Sequence, residues 1–120
     1  MKKILIVDDE PNIVMTLEYT FKKSNYEVFI ARDGQEALDI LKTNFPDVII
    51  LDIMMPMVDG FATLVQIRKD DNLQHTKVMF LSAKNKESDI EKGLALGADA
   101  YMTKPFSIKK VVEKVEELFS

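Results

Sequence analysis

Residues that can carry charge or offer a hydroxyl stand directly after apolar runs at five points: Ile-Leu-Ile-Val leads into Asp8-Asp9, Val-Phe-Ile-Ala into Arg32-Asp33, Val-Ile-Ile-Leu into Asp52, Val-Met-Phe-Leu into Ser82, and Ala-Tyr-Met into Thr103-Lys104. Brought together, Asp8, Asp9 and Asp52 would repel, and one would take up a proton unless something compensated. A hard divalent cation compensates best, and an oxygen-only cluster without Cys or His favours Mg²⁺ over zinc or copper. A cation held by two or three protein oxygens keeps water positions free, and phosphate oxygens take those positions in phosphoryl-transfer sites. Asp52 could then act as nucleophile and carry an aspartyl phosphate, with Mg²⁺ and Lys104 offsetting the added charge.

Distant residues meet only if the elements before them are parallel neighbours. Short runs at Ile4–Val7, Val28–Ala31, Val48–Leu51, Val78–Leu81 and Ala100–Met102 read as strands. Helical spacing separates them: Ile13, Leu17 and Phe21; Ala37, Leu38 and Leu41; Phe61, Leu64 and Ile67; Ile90 and Leu94; then Ile108, Val111, Val112, Val115 and Leu118. Pro11 suits a first helical position, Asp33 with Glu36 a capping box, Gly97 a helix C-terminus and Ser107 an N-cap. Five βα units with strands apolar on both faces predict an α/β fold, a doubly wound (βα)5 parallel sheet. The flavodoxin-like order 2-1-3-4-5 makes strands 1, 3, 4 and 5 neighbours, and ligands bind at the carboxyl edge of such sheets.

Composition agrees with one domain over residues 1–120. Apolar residues make up 47% and charged residues 30%, the profile of a globular chain. Up to residue 60 there are 6 positive against 11 negative residues, afterwards 10 against 9, so no basic stripe invites nucleic acid. No run approaches the length of a membrane span, and the apolar stretch after Met1-Lys2-Lys3 ends in acids, unlike a signal peptide. A cytoplasmic address is expected. Met54, Met55 and Met57 read as filler of irregular apolar gaps rather than soft-metal ligands, and His75 as an exposed loop residue.

Five features in chain order resemble the receiver domain of bacterial two-component response regulators: the acidic pair after strand 1; Leu51-Asp52-x-x-Met55-Pro56-x-x-Asp59-Gly60; Ser82-Ala83; Tyr101; and Lys104-Pro105. The resemblance spans essentially the whole chain. It implies that Asp52 is the phosphoacceptor, that Asp9, Asp52 and the Met54 backbone carbonyl ligate Mg²⁺, and that Asp8 assists through water. Lys104 and Ser82 would contact the phosphoryl group, Ser82 keeping the hydroxyl of the commoner Thr. Tyr101 would turn inward when Ser82 moves, and Pro105 would follow a cis peptide bond that aims Lys104. The implied donor is a sensor histidine kinase or phosphotransfer protein, and the implied activity is the domain's own phosphorylation and dephosphorylation rather than an enzyme's turnover.

The fourth helix, fifth strand and fifth helix would form the face that changes. Its Lys86, Glu87, Lys109, Lys110 and Glu113 suit a protein partner, whose identity the residues leave open. Competing readings fit less well. An Asp-nucleophile phosphohydrolase would want Asp-x-Asp after strand 1, and a flavodoxin-like binding module a Gly, Ser or Thr-rich phosphate loop where Asp8-Asp9-Glu10 stands. A receiver that works without phosphorylation would lack an acid or the lysine. The winged-helix transcription-factor branch reads Gly-Ala-Asp-Asp-Tyr at strand 5 and carries Arg in its last helix. Here Ala100 precedes Tyr101 and Lys114 stands near Glu116, which weakens the resemblance to that branch and favours a stand-alone or differently coupled receiver. With no output domain after Phe119, the chain is expected to be either a stand-alone receiver or a piece of a longer regulator.

Overall fold

Strands apolar on both sides need a helical layer on each face, and the chain supplies both. The computed structural model describes residues 1–120. The strands are β1 (Lys3–Val7), β2 (Glu27–Ala31), β3 (Val48–Leu51), β4 (Lys77–Ser82) and β5 (Ala100–Thr103). The helices are α1 (Pro11–Lys23), α2 (Gly34–Ile40), α3 (Gly60–Lys69), α4 (Glu87–Ala95) and α5 (Ile108–Leu118), with a short 3₁₀ turn at Asp71–Leu73. All pairings are parallel and the order is β2-β1-β3-β4-β5. The fold is therefore the flavodoxin-like arrangement of the alternating pattern. No helix is long and apolar enough to cross a membrane.

Alternate strand residues go to opposite layers, as the two-residue period requires. Leu5, Val7, Ile49, Leu51, Val78 and Phe80 pack with Ala37, Leu41, Phe61, Leu64 and Ile67 of the α2–α3 side. Ile4, Ile6, Val48, Ile50, Met79 and Leu81 pack with Leu17 and Phe21 of α1 and Val111 and Val115 of α5.

Helix starts follow the sequence. Asp33 accepts from the Glu36 amide and Asp59 from the Ala62 amide, both at 2.8 Å, and Ser107 accepts from the Lys110 amide at 3.4 Å. Pro11 opens α1, and Gly97 follows α4 at φ +110°, where a side chain would be strained.

The amino end of the sheet is fastened by Arg68. Its guanidinium donates to the carbonyls of Gly97 (3.0 Å) and Thr76 (2.9 Å) and to Asp99 Oδ2 (2.9 Å), which also accepts from the Val78 amide (2.8 Å).

Of the three methionines after Asp52, Met55 is buried, whereas Met54 and Met57 are exposed. Gap filling thus describes Met55 alone. Met57 also sits at φ +66°, a left-handed conformation that costs a residue with a Cβ about 1–2 kcal/mol. Met57→Gly is expected to raise stability by about 0.5–1 kcal/mol, glycine's greater unfolded freedom offsetting part of the relief. Urea unfolding reads this directly, and an unchanged or lower midpoint would contradict it.

Candidate functional site

The sheet ladder continues one residue past β1, β3 and β5, and that extension places the site. The Asp8 amide donates to the Ala31 carbonyl (3.1 Å), the Asp52 amide to the Val7 carbonyl (2.9 Å) and the Lys104 amide to the Ser82 carbonyl (2.8 Å). Asp8 and Asp52 therefore stand side by side where the strand order reverses. Gly60 allows the turn back from β3. Its amide donates to the Ile53 carbonyl at 2.9 Å, and a Cβ there would lie 2.2 Å from the Asp52 carbonyl oxygen.

Asp8 and Asp52 are each only 3% exposed, and Ser82 is fully buried. Lys104 Nζ reaches Asp8 Oδ2 at 3.0 Å, Glu10 Oε1 at 2.8 Å and Asp52 Oδ1 at 3.7 Å. Asp52 Oδ1 also accepts from the Ile53 amide at 2.8 Å, and Asp8 Oδ1 from the Glu10 amide at 2.9 Å. Carboxylate oxygens of Asp8, Glu10 and Asp52 lie within 4.8 Å of one another. Asp9, expected at the centre, is exposed and stands outside this close trio. Glu10, which received no role from the sequence, stands inside it.

Burial pushes the Asp52 carboxyl up to about 6, and the charge of Asp8 adds to the rise. Lys104, the Ile53 amide and, in the opposite sense, Asp9 have smaller effects. Asp8 is raised as well, by burial, although the Glu10 amide and Lys104 oppose it. Burial works against charge on Lys104, but hydrogen bonds to Glu10 and Asp8 and the charges of Asp52 and Asp8 outweigh it, so Lys104 lies above its ordinary value. The pocket is thus short of positive charge even with the lysine in place. An all-oxygen donor set with two buried acids fits a hard divalent cation such as Mg²⁺.

Ser82 and Tyr101 are tied to one residue. Ser82 Oγ accepts from the Lys84 amide (3.2 Å), and the Tyr101 hydroxyl donates to the Lys84 carbonyl (2.7 Å). The Tyr101 ring packs against Phe80 with centroids 5.7 Å apart. Gly93 of α4 rests on both rings, so closely that a Cβ would come within 3.1 Å of them. Burial raises the Tyr101 phenol, and the charge of Asp89 adds to this. The Lys104–Pro105 peptide is cis, and His75 is exposed.

The family model of the response regulator receiver domain matches residues 4–116. The chain is 45% identical over 117 residues to the alkaline phosphatase synthesis transcriptional regulatory protein PhoP of Bacillus subtilis (strain 168), covering 98% of this chain and 48% of that protein. It therefore spans about half the length of that relative. Among solved structures, the receiver domain of the Francisella response regulator 1452 superposes with a TM-score of 0.91 at 37% identity, covering 99% of this chain and 97% of that one. The receiver domain of a sensor histidine kinase of Pseudomonas aeruginosa PAO1, with a magnesium ion coordinated in its active site cleft, gives 0.89 at 26% identity, covering 99% and 98%.

Proposed function

Because the chain belongs to the response regulator receiver domain family, the signalling domain of two-component systems, we propose that it accepts a phosphoryl group on Asp52 and passes the change to a protein partner. The observation that carries this is Asp52 itself, a buried carboxylate at the tip of a central strand between Asp8 and Lys104. Asp9, Asp52 and the Met54 carbonyl would hold Mg²⁺, with Asp8 assisting through water. When bound, the ion neutralises these carboxylates and the phosphoryl oxygens.

Oδ1 of Asp52 is held by the Ile53 amide and faces Lys104, so Oδ2 is the oxygen presented for attack. With acetyl phosphate as donor, a new Oδ2–P bond forms as the P–O bond to acetate breaks. Acetate leaves with the electron pair, and no proton is required. Lys104 then balances charge on the phosphoryl oxygens, and Ser82 donates its hydroxyl to one of them. In the cell the donor would be a histidine kinase or phosphotransfer protein. Acetyl phosphate with Mg²⁺ is expected to add one hydroxylamine-labile phosphoryl group by intact mass. Labelling of Asp52→Asn to the parent's extent would exclude Asp52 as acceptor.

Output follows from the shared anchor at Lys84. A Ser82 hydroxyl drawn toward a phosphoryl group pulls on the Lys84 amide, and the Lys84 carbonyl holds Tyr101. Tyr101 in turn supports α4 through Gly93. The face beyond carries exposed Lys86, Glu87, Lys109, Lys110 and Glu113, a mixed-charge surface suited to protein rather than nucleic acid. Beryllofluoride with Mg²⁺ is expected to shift amide resonances at Ser82, Tyr101 and residues 84–92 far more than those of α2. Ser82→Ala should confine the shifts to the Asp52 pocket, and persistence of the distant shifts in that variant would refute the relay.

A further inference from the structure

Lys104 has three acidic neighbours, and they differ in how easily they can release it. Asp8 and Asp52 are buried, and leaving either without a counter-charge costs heavily. The Glu10 side chain is 57% exposed, so its carboxylate returns to water at little cost, yet it makes the shortest contact to Lys104, 2.8 Å. The two residues border an open cleft with Ile13, Ala83, Pro105 and Phe106, which leaves Glu10 room to swing away. The Glu10 backbone, not its side chain, serves α1: its carbonyl accepts from the amides of Ile13 and Val14, and the side chain makes no capping bond.

We infer that Glu10 is a positioning residue for phosphoryl transfer, a detachable clasp that draws Lys104 away from Asp52 and must yield it to the incoming phosphoryl group. This rests on Asp52 as acceptor. Glu10 therefore competes with the phosphoryl oxygens for one ammonium group, and each event of phosphorylation includes the breaking of this pair. Removing the charge lowers that cost. Since exposed charge pairs are worth little, the gain is modest, about three- to fivefold in the phosphorylation rate constant at low donor concentration.

Glu10→Gln keeps the backbone capping and nearly the same shape, which makes it the variant to use. Its labelling by acetyl phosphate with Mg²⁺ should be about three- to fivefold faster than the parent's, and the gain should vanish in a Lys104→Ala background. A gain that persists there would mean that Glu10 only repels the anionic donor, which overturns the clasp. A second measurement needs neither metal nor donor. In chelator, Glu10→Gln should shift the Lys104 side-chain Nζ resonance more than that of any other lysine, and an unmoved Lys104 signal overturns the inference. This reading decides alone if Lys104→Ala labels too slowly to follow. A parent that takes no label refutes the acceptor reading, whereas a labelled parent matched by Glu10→Gln refutes the clasp only.

Discussion

Asp52→Asn is expected to be more stable than the parent by about 2–3 kcal/mol in chelator at pH 8. The Asp52 carboxyl is raised from 3.8 to about 6 by burial and by the neighbouring charge of Asp8. A raised acid binds its proton more tightly in the folded chain than in the unfolded one, so stability falls as pH rises between those two values. Below about 3.8 both states are protonated and the penalty is absent; above about 6 both are ionised and it is complete. Asn resembles the protonated acid in charge and can still accept from the Ile53 amide. The advantage of the variant should therefore be full at pH 8, shrink as pH falls through 6, and disappear below 4. Urea unfolding of both proteins across this range tests it. A difference independent of pH would mean that charge on Asp52 is not its source.

Gly60→Ala should cost about 3 kcal/mol or more, enough to lower a urea midpoint by about 2 M. The added Cβ would meet the Asp52 carbonyl oxygen at 2.2 Å and the Ile53 Cα at 2.7 Å. Both are backbone atoms, so no side chain can turn aside. Relief would come only by moving the start of α3 away from the end of β3, which also displaces the carboxylate carried there. Ala62→Gly is the useful contrast, because it alters an exposed position of the same first turn. A loss at Gly60 no larger than the roughly 1 kcal/mol of an ordinary helix glycine exchange would show that the junction is slack.

The strands, their order and the meeting of Asp8, Asp52 and Lys104 were legible because they follow from periodicity and from the single edge at which parallel strands end. Four things were not. Glu10 reads in sequence as one more acid ahead of α1, and only the return of β5 to the same edge brings Lys104 to it. Arg68 looks like a solvated residue of an amphipathic helix. Its partners come from the turn after α3 and from the segment between α4 and β5, so no local pattern announces them. The left-handed turn at Met57 was hidden because its usual markers are Gly and Asn, the residue found at the other non-glycine position of this kind, Asn25. The three methionines look alike in sequence, although a loop that reverses direction must send its side chains to different environments, Met55 inward and Met54 and Met57 to solvent.

The fastening of the amino edge by Arg68 has a bearing on how such a chain can change over generations. Its hydrogen bonds lie at the opposite end of the strands from Asp52, and none of its partners belongs to the phosphoryl pocket. Effects of substitutions at separate, non-touching sites add nearly independently. Variation among residues that border Lys104 can therefore reset how fast a signal is written or erased while the thermal margin secured at the other edge is preserved. Selection can adjust the clock without loosening the case.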